Sequence, residues 1–235
     1  FPLIRENGLW LGFTSPKEFI QPDGSIKKFG NILWYTNLDH RKRHQPLDLR
    51  GNYYHGNEAQ FPKYDNYDAI EVSKVAEIPC DYFEAFLIST AALASLNPGK
   101  VQVVTSQAEL DAVLAAGEGS GQYIVRQYEN HAEVLTAGHS KEDTAAFLHT
   151  QGIEEADMRY QSGVMGVPIT FLDKYCPEQF EIVGSFNNSR IEEKEAESFV
   201  LSRDTITVIN GVEKIWNGPV VNKKPLYKRI VIRRW

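Results

Sequence analysis

VQVVTSQAELDAVLAAGEGSGQYIVRQYENHAEVLTAGHSKEDTAAFLHTQG, residues 101–152, holds two kinds of segment in turn. VQVVT reads as a strand, and Ser106 then offers a helix cap, with Glu109 three residues on to close a capping box. Tyr123-Ile-Val-Arg-Gln-Tyr and Ala132-Glu-Val-Leu-Thr alternate apolar and polar positions as strands do. SKEDTAAFLHTQG (140–152) is a second capped helix with Gly152 as its stop. With the Ala-rich apolar run FEAFLISTAALASL before it, this stretch reads as one compact α+β module over residues 83–162.

On either side the texture differs. Upstream, GLWLGF (8–13) and GNILWYTNL (30–38) are aromatic and β-branched runs separated by the breaker-rich TSPKEFIQPDGS, which predicts two neighbouring strands and a long loop. Ile70, Val72 and Val75 suggest a further strand ending at the Ile78-Pro79 turn. Downstream, GVMGVPITFLDKY, QFEIV and YKRIVIR read as strands. Asn210-Gly211 between ITVI and VEKIW is a strong hairpin signal. Three regions follow: 1–82, 83–162 and 163–235.

Charge divides along the same lines. The net charge is −6, but residues 83–162 carry 11 acidic against 4 basic residues, or −7, leaving 21 basic against 20 acidic in the flanks. The flanks therefore tolerate a polyanionic partner, and the middle does not favour one. No stretch of about 18 apolar residues is present to span a membrane. Cys80 and Cys176 stand in unrelated contexts and suit reduced, buried thiols of a cytoplasmic protein rather than a zinc site. Phe1 stands inside an apolar phrase, FPLIRENGLWLGF, which reads as a helix end running into a strand and suggests a start within a longer protein.

Catalytic signatures are scarce: no G-x-S-x-G, P-loop or H-E-x-x-H string occurs. His40 and His44 are four apart but flank Arg41, Lys42 and Arg43, whose charge opposes a metal cation, so no metal site is assigned. His131 and His139 read as surface residues near turns. Asp81/Glu84 and the run Glu192, Glu193, Glu195 and Glu197 read as solvated faces. The informative feature is Lys27-Lys28-Phe29 leading into Trp34-Tyr35, with the cationic loop Asp39–His44 after it. An enzyme that acts on a base must unstack it, which calls for aromatic faces with cations nearby for the backbone. Phe29, behind two lysines, is the first candidate for the stacking face. Trp34 and Tyr35 fit that role too, though as strand residues each is more readily a core side chain.

Four phrases, PDGSIKKFGNILWYTNLDHRKR (22–43), FPKYDNYDAIEVSKVAEIPCDY (61–82), GVMGVPITFLDKYCPEQFEIVG (163–184) and LYKRIVIRRW (226–235), resemble successive blocks of the EcoRI-type adenine-specific DNA methyltransferase family. In that family the second block runs almost directly into the third; here residues 83–162 intervene. The resemblance implies transfer of a methyl group from S-adenosylmethionine to the N6 of a flipped adenine in double-stranded DNA. It implies an α/β fold in which this chain holds the C-terminal strands of a Rossmann-like sheet and a β-rich recognition region, interrupted by the module. Phe29 matches the family's base-stacking aromatic. Lys27, Lys28, Arg41, Lys42 and Arg43 would meet phosphates, and Asn187, Asn188 and Arg190 in the SFNNSR turn have the donors and acceptors for base edges.

The family's F-x-G-x-G cofactor loop and its (N/D)-PP-(F/Y/W) motif do not occur in the 235 residues. The nearest string is Asn97-Pro98-Gly99. No catalytic residue is therefore assigned, and the cofactor is expected to be bound by sequence outside this chain. The alternative reading is an inactive DNA-binding protein derived from such an enzyme. A faint similarity of QYENHAEVLTAGHS to phage structural repeats supports a third, lesser one.

Overall fold

A computed structural model of the chain describes residues 2–11, 18–28, 34–54, 56–116, 121–186, 205–209, 211–216, 218–226 and 229–235. Two mixed sheets dominate it. The first has five strands, all drawn from residues 85–161, in the order Met158–Gln161, Ala85–Ser89, His131–Leu135, Tyr123–Gln127, Val101–Val104. Neighbours are antiparallel except the last two, which run parallel because the helix Gln107–Ala116 connects them. A parallel pair needs such a crossover, whereas His131–Leu135 follows Tyr123–Gln127 through a short hairpin.

Both helices start where the caps demand. Glu109 N–H donates to Ser106 Oγ while the Glu109 carboxylate accepts from the Ser106 N–H, a complete capping box. Ser140 Oγ accepts from the Asp143 N–H at 3.0 Å to open Lys141–Thr150. Gly152 ends that turn at φ +80°, a conformation that favours glycine. The Ala-rich run is a strand, Ala85–Ser89, followed by only one helical turn, Thr90–Leu93.

The second sheet joins sequence from both sides of that module: Phe180–Phe186, Arg229–Arg234, Met165–Pro168 and Ile70–Glu71, in that order. The expected strand beyond residue 69 is thus brief, and the chain turns into a 3-10 helix at Val75–Glu77. Ile230 and Ile232 pack into one core with Ile70, Met165, Phe171 and Phe180, while Val231 packs into another with Tyr64, Val183 and Phe186. Covering on both faces is why RIVIRR reads as an unbroken apolar run rather than an alternating one. Two residues separate Ile209 from its partner Val212, as the Asn-Gly turn requires.

The two ends of the five-stranded module meet. A Cβ on Gly163, at φ +68°, would lie 2.5 Å from the Phe83 carbonyl carbon and 2.9 Å from its oxygen. Chain entry and exit therefore touch backbone to backbone, so the 85–161 sheet closes without separating Ile70–Glu71 from Met165–Pro168. Both thiols are buried and unbridged. Among the described residues no helix is long and apolar enough to cross a membrane.

Candidate nucleic-acid interface and a buried carboxylate

The N-terminal region carries two small ribbons. Trp10–Leu11 pairs with Tyr35–Thr36, the two expected neighbouring strands, and Glu18–Ile20 pairs with Ile26–Lys28. Here the core reading of Trp34 and Tyr35 is corrected: they are 47% and 43% exposed. Among the described residues the Trp34 ring lies tilted toward Phe19, at 6.5 Å between centroids. Ile20, Ile26 and Leu38 are exposed as well, making this face unusually apolar. Lys27 and Lys28 stand exposed on the other ribbon, with Lys28 Nζ 2.8 Å from Glu18.

The cationic loop forms a 3-10 turn, Arg41–His44, that sorts its charges. Arg41 and Lys42 are exposed, but Arg43, grouped with them on sequence, is only 8% exposed. Its guanidinium lies 3.8 Å over the Trp10 ring and donates to Asn7 Oδ1, which also accepts from the Tyr175 hydroxyl. Arg43 thus anchors the loop instead of facing outward. His44 holds the other side, its ring between Glu178 (2.5 Å) and Asp39 (2.9 Å). Those hydrogen bonds raise its pKa, Glu178 foremost, and the bond from His44 lowers that of Asp39. Phe29, Asn187, Asn188 and Arg190, and the four glutamates from Glu192 to Glu197, lie outside the described residues.

The carboxylates near the module's entrance were misread as solvated. Asp81 is 0% exposed and accepts the Tyr53 N–H at 2.5 Å. Glu84 is half-buried and pairs with Arg233, 2.5 Å away, and the Tyr160 hydroxyl donates to it as well. His131 and His139 are half-buried too, stacked on Tyr128 and Tyr123.

Sequence reasoning missed Glu133, which is 0% exposed in the middle of the five-stranded sheet. Its carboxyl meets the Tyr54 hydroxyl (2.6 Å), the Tyr128 hydroxyl (3.2 Å) and Gln161 Nε2 (3.2 Å); Tyr54 Oη also lies 2.8 Å from Gln161 Oε1, and Gln161 Nε2 donates to the Phe83 carbonyl. These five contacts need five protons, while two hydroxyls and one amide supply four. A protonated Glu133 would supply the fifth by donating to the Tyr54 oxygen, freeing the Tyr54 proton for Gln161; an ionised one leaves Tyr54 to share its proton between Glu133 and Gln161. Burial raises the Glu133 pKa to about 7, which agrees with that count. The signal was present in His131-Ala-Glu-Val-Leu135, where a strand-centre acid alternates with apolar residues. The cluster ties Tyr54, from the loop before the module, to two strands within it, at Glu133 and Gln161, and to Tyr128 in the hairpin between two strands. It is enclosed by its own partners and serves to lock the loop.

The pH dependence follows. A carboxyl whose folded pKa lies above its ordinary 4.5 keeps its proton preferentially in the folded state, so its contribution to stability falls as pH rises from about 4.5 through about 7 and stays low above. Glu133→Gln, neutral throughout, is expected to gain up to about 3 kcal/mol on the wild type between pH 4.5 and pH 8, at about 1.4 kcal/mol per pKa unit. Urea denaturation at both pH values tests this. An unchanged difference between the two proteins would mean that Glu133 is ionised throughout.

A mixed α/β chain with an exposed, cationic and aromatic N-terminal face is thus what fold and surface define. The family model described as adenine-specific methyltransferase EcoRI matches residues 1–161 and 147–235, and the chain belongs to that family. It is 36% identical over 129 residues to the Type II methyltransferase M.EcoRI of Escherichia coli, an alignment covering 47% of this chain and 39% of that protein. It is also 36% identical over 124 residues to the Type II methyltransferase M.MpnI of Mycoplasma pneumoniae, covering 44% and 38%. With the Type II methyltransferase M.MgeORF184P of Mycoplasma genitalium it shares 29% identity over 123 residues, again 44% and 38%. The chain spans less than two-fifths of the length of the curated relatives it matches. No solved structure matches it.

Proposed function

We propose that this chain is the C-terminal, DNA-engaging part of an N6-adenine DNA methyltransferase of a bacterial or phage restriction-modification system, acting on double-stranded DNA in the cytoplasm. The observation that carries this reading is the family match along the chain together with the exposed set Lys27, Lys28, Trp34, Tyr35, Arg41 and Lys42. Cations on a tethered loop meet phosphates, and exposed aromatic rings beside them offer stacking faces to an unpaired base. Phe29 and the trio Asn187, Asn188 and Arg190 keep their proposed roles in base stacking and base-edge reading. The strands beside residues 10 and 35 would belong to the edge of a Rossmann-like sheet, and residues 83–162 would be a module inserted before the recognition region.

S-adenosylmethionine is the methyl donor this reading implies, and the family's F-x-G-x-G loop does not occur in the 235 residues. Asn97, in the string nearest to the family's adenine-amine motif, spends its Oδ1 on the Gly99 N–H within its own exposed turn at 2.9 Å. No step of methyl transfer is therefore assigned to a residue of this chain. The second reading is a catalytically inactive DNA-binding protein derived from such a methyltransferase. Transfer of labelled methyl groups to duplex DNA by the full coding product separates the two.

The test uses a fluorescent duplex with one abasic position and a salt series. Binding is expected to weaken linearly in log salt, with a slope reduced by about 1.8 when Arg41 and Lys42 are both changed to Ala, at about 0.9 per phosphate contact. Trp34→Ala is expected to lower affinity for the abasic duplex more than for the intact one. No binding at low salt, or an unchanged slope, would overturn the proposal for this chain.

A further inference from the structure

We propose that the cleft between the helix Gln107–Ala116 and the chain's C-terminal end binds a small, flat organic monoanion, with its apolar body between the walls and its anionic group on Arg234. The cleft has a volume of about 1120 Å³, and Leu47, Leu49, Val113 and Ile124 are among its apolar lining. It is somewhat larger than the usual site for a small organic molecule, and its apolar walls alternate with polar and charged side chains that can orient one.

The charge balance supplies the specificity. Three arginines lie on the strand Arg229–Arg234. Arg229 pairs with Glu71 at 2.8 Å, and Arg233 pairs with Glu84 and Glu181 at 2.5 and 2.8 Å. Arg234 lines the cleft, and among the described residues it has no carboxylate partner. Its guanidinium sits 4.5 Å over the Phe83 ring, donates to the Cys80 carbonyl, and keeps a buried Nε with no acceptor. A buried cation without a counterion is costly, and an incoming anion would offset that cost. Burial draws the Arg234 pKa down against the pull of Asp111.

Of the cleft's own carboxylates, Asp111 exerts the largest electrostatic pull on Arg234, without an ion pair to it among the described residues. Asp48 is held by Arg50 at 2.5 Å, Glu178 by His44 at 2.5 Å, and Asp111 accepts from Gln107 at 2.7 Å. They do rim the opening with negative charge. A carboxylate or sulfonate of single charge is therefore favoured over a dianionic phosphate.

The probe is 8-anilino-1-naphthalenesulfonate, with uncharged N-phenyl-1-naphthylamine as its ring-matched control, each titrated by fluorescence into the 235-residue chain. The sulfonate is expected to bind with one-to-one stoichiometry and at least tenfold tighter than the amine. Arg234→Met is expected to lose that tenfold preference, and Arg234→Lys to keep part of it. Ala112→Trp, an exposed helical position lining the cleft, is expected to abolish binding of both probes with an unchanged melting temperature. Equal affinity for the two probes, or sulfonate binding that survives Ala112→Trp, would overturn the proposal, and neither result depends on Arg234→Met folding.

Discussion

Gly163→Ala is expected to destabilise the chain by about 3 kcal/mol or more, through a backbone clash added to backbone strain. The position is held at φ +68°, and its new Cβ would stand 2.5 Å from the Phe83 carbonyl carbon, which belongs to the main chain and not to a side chain that can rotate away. Gly121 provides the comparison. It too has positive φ, at +61°, but open space around the added atom, so Gly121→Ala should cost only the conformational term of about 1 kcal/mol. Thermal and urea denaturation of both variants separates the two contributions. Equal costs would show that the close approach of Gly163 to residues 83–84 does not hold the five-stranded module shut.

Arg229→Met is expected to cost about 3–5 kcal/mol, the penalty of leaving a buried charge without its partner. Glu71 is 5% exposed, accepts from Arg229 Nη2 at 2.8 Å and Nε at 3.0 Å, and also accepts from the buried Tyr64 hydroxyl. These side chains fix Ile70–Glu71 to the sheet edge beside Met165–Pro168, across the place where the module leaves and rejoins. Glu71→Gln combined with Arg229→Met should recover much of the loss, because no charge is then buried. A double-mutant cycle by urea denaturation measures the coupling. Purely additive losses would mean that the pair contributes packing alone and that the ionic account is wrong.

Much of the fold was legible before any coordinates. The capping box at Ser106, the cap at Ser140, the stop at Gly152, the Asn210-Gly211 hairpin and the strands within 101–135 are local patterns whose physics acts over a few residues. The candidate interface was legible only as composition. That Lys27, Lys28, Arg41 and Lys42 are cations is written in the chain, but that Arg43 turns inward onto Trp10 depends on residues 33 to 36 positions away. Trp34 and Tyr35 looked like core because strands usually have a layer above them, yet both side chains are exposed.

The sequence by itself determined the caps and turns that start and stop the module's helices, how charge divides between the module and its flanks, and which family the blocks resemble. Those properties arise from nearest neighbours, caps and composition. Only the tertiary structure decided which charges are buried. Glu133, Asp81 and Arg234 are ordinary polar letters in the chain, and they become a proton holder, a backbone acceptor and a cation without a counterion through what is packed over them. Burial depends on partners distant in sequence, 79 residues between Tyr54 and Glu133 and 154 between Cys80 and Arg234, and desolvation sets the cost of each charge once those partners have met.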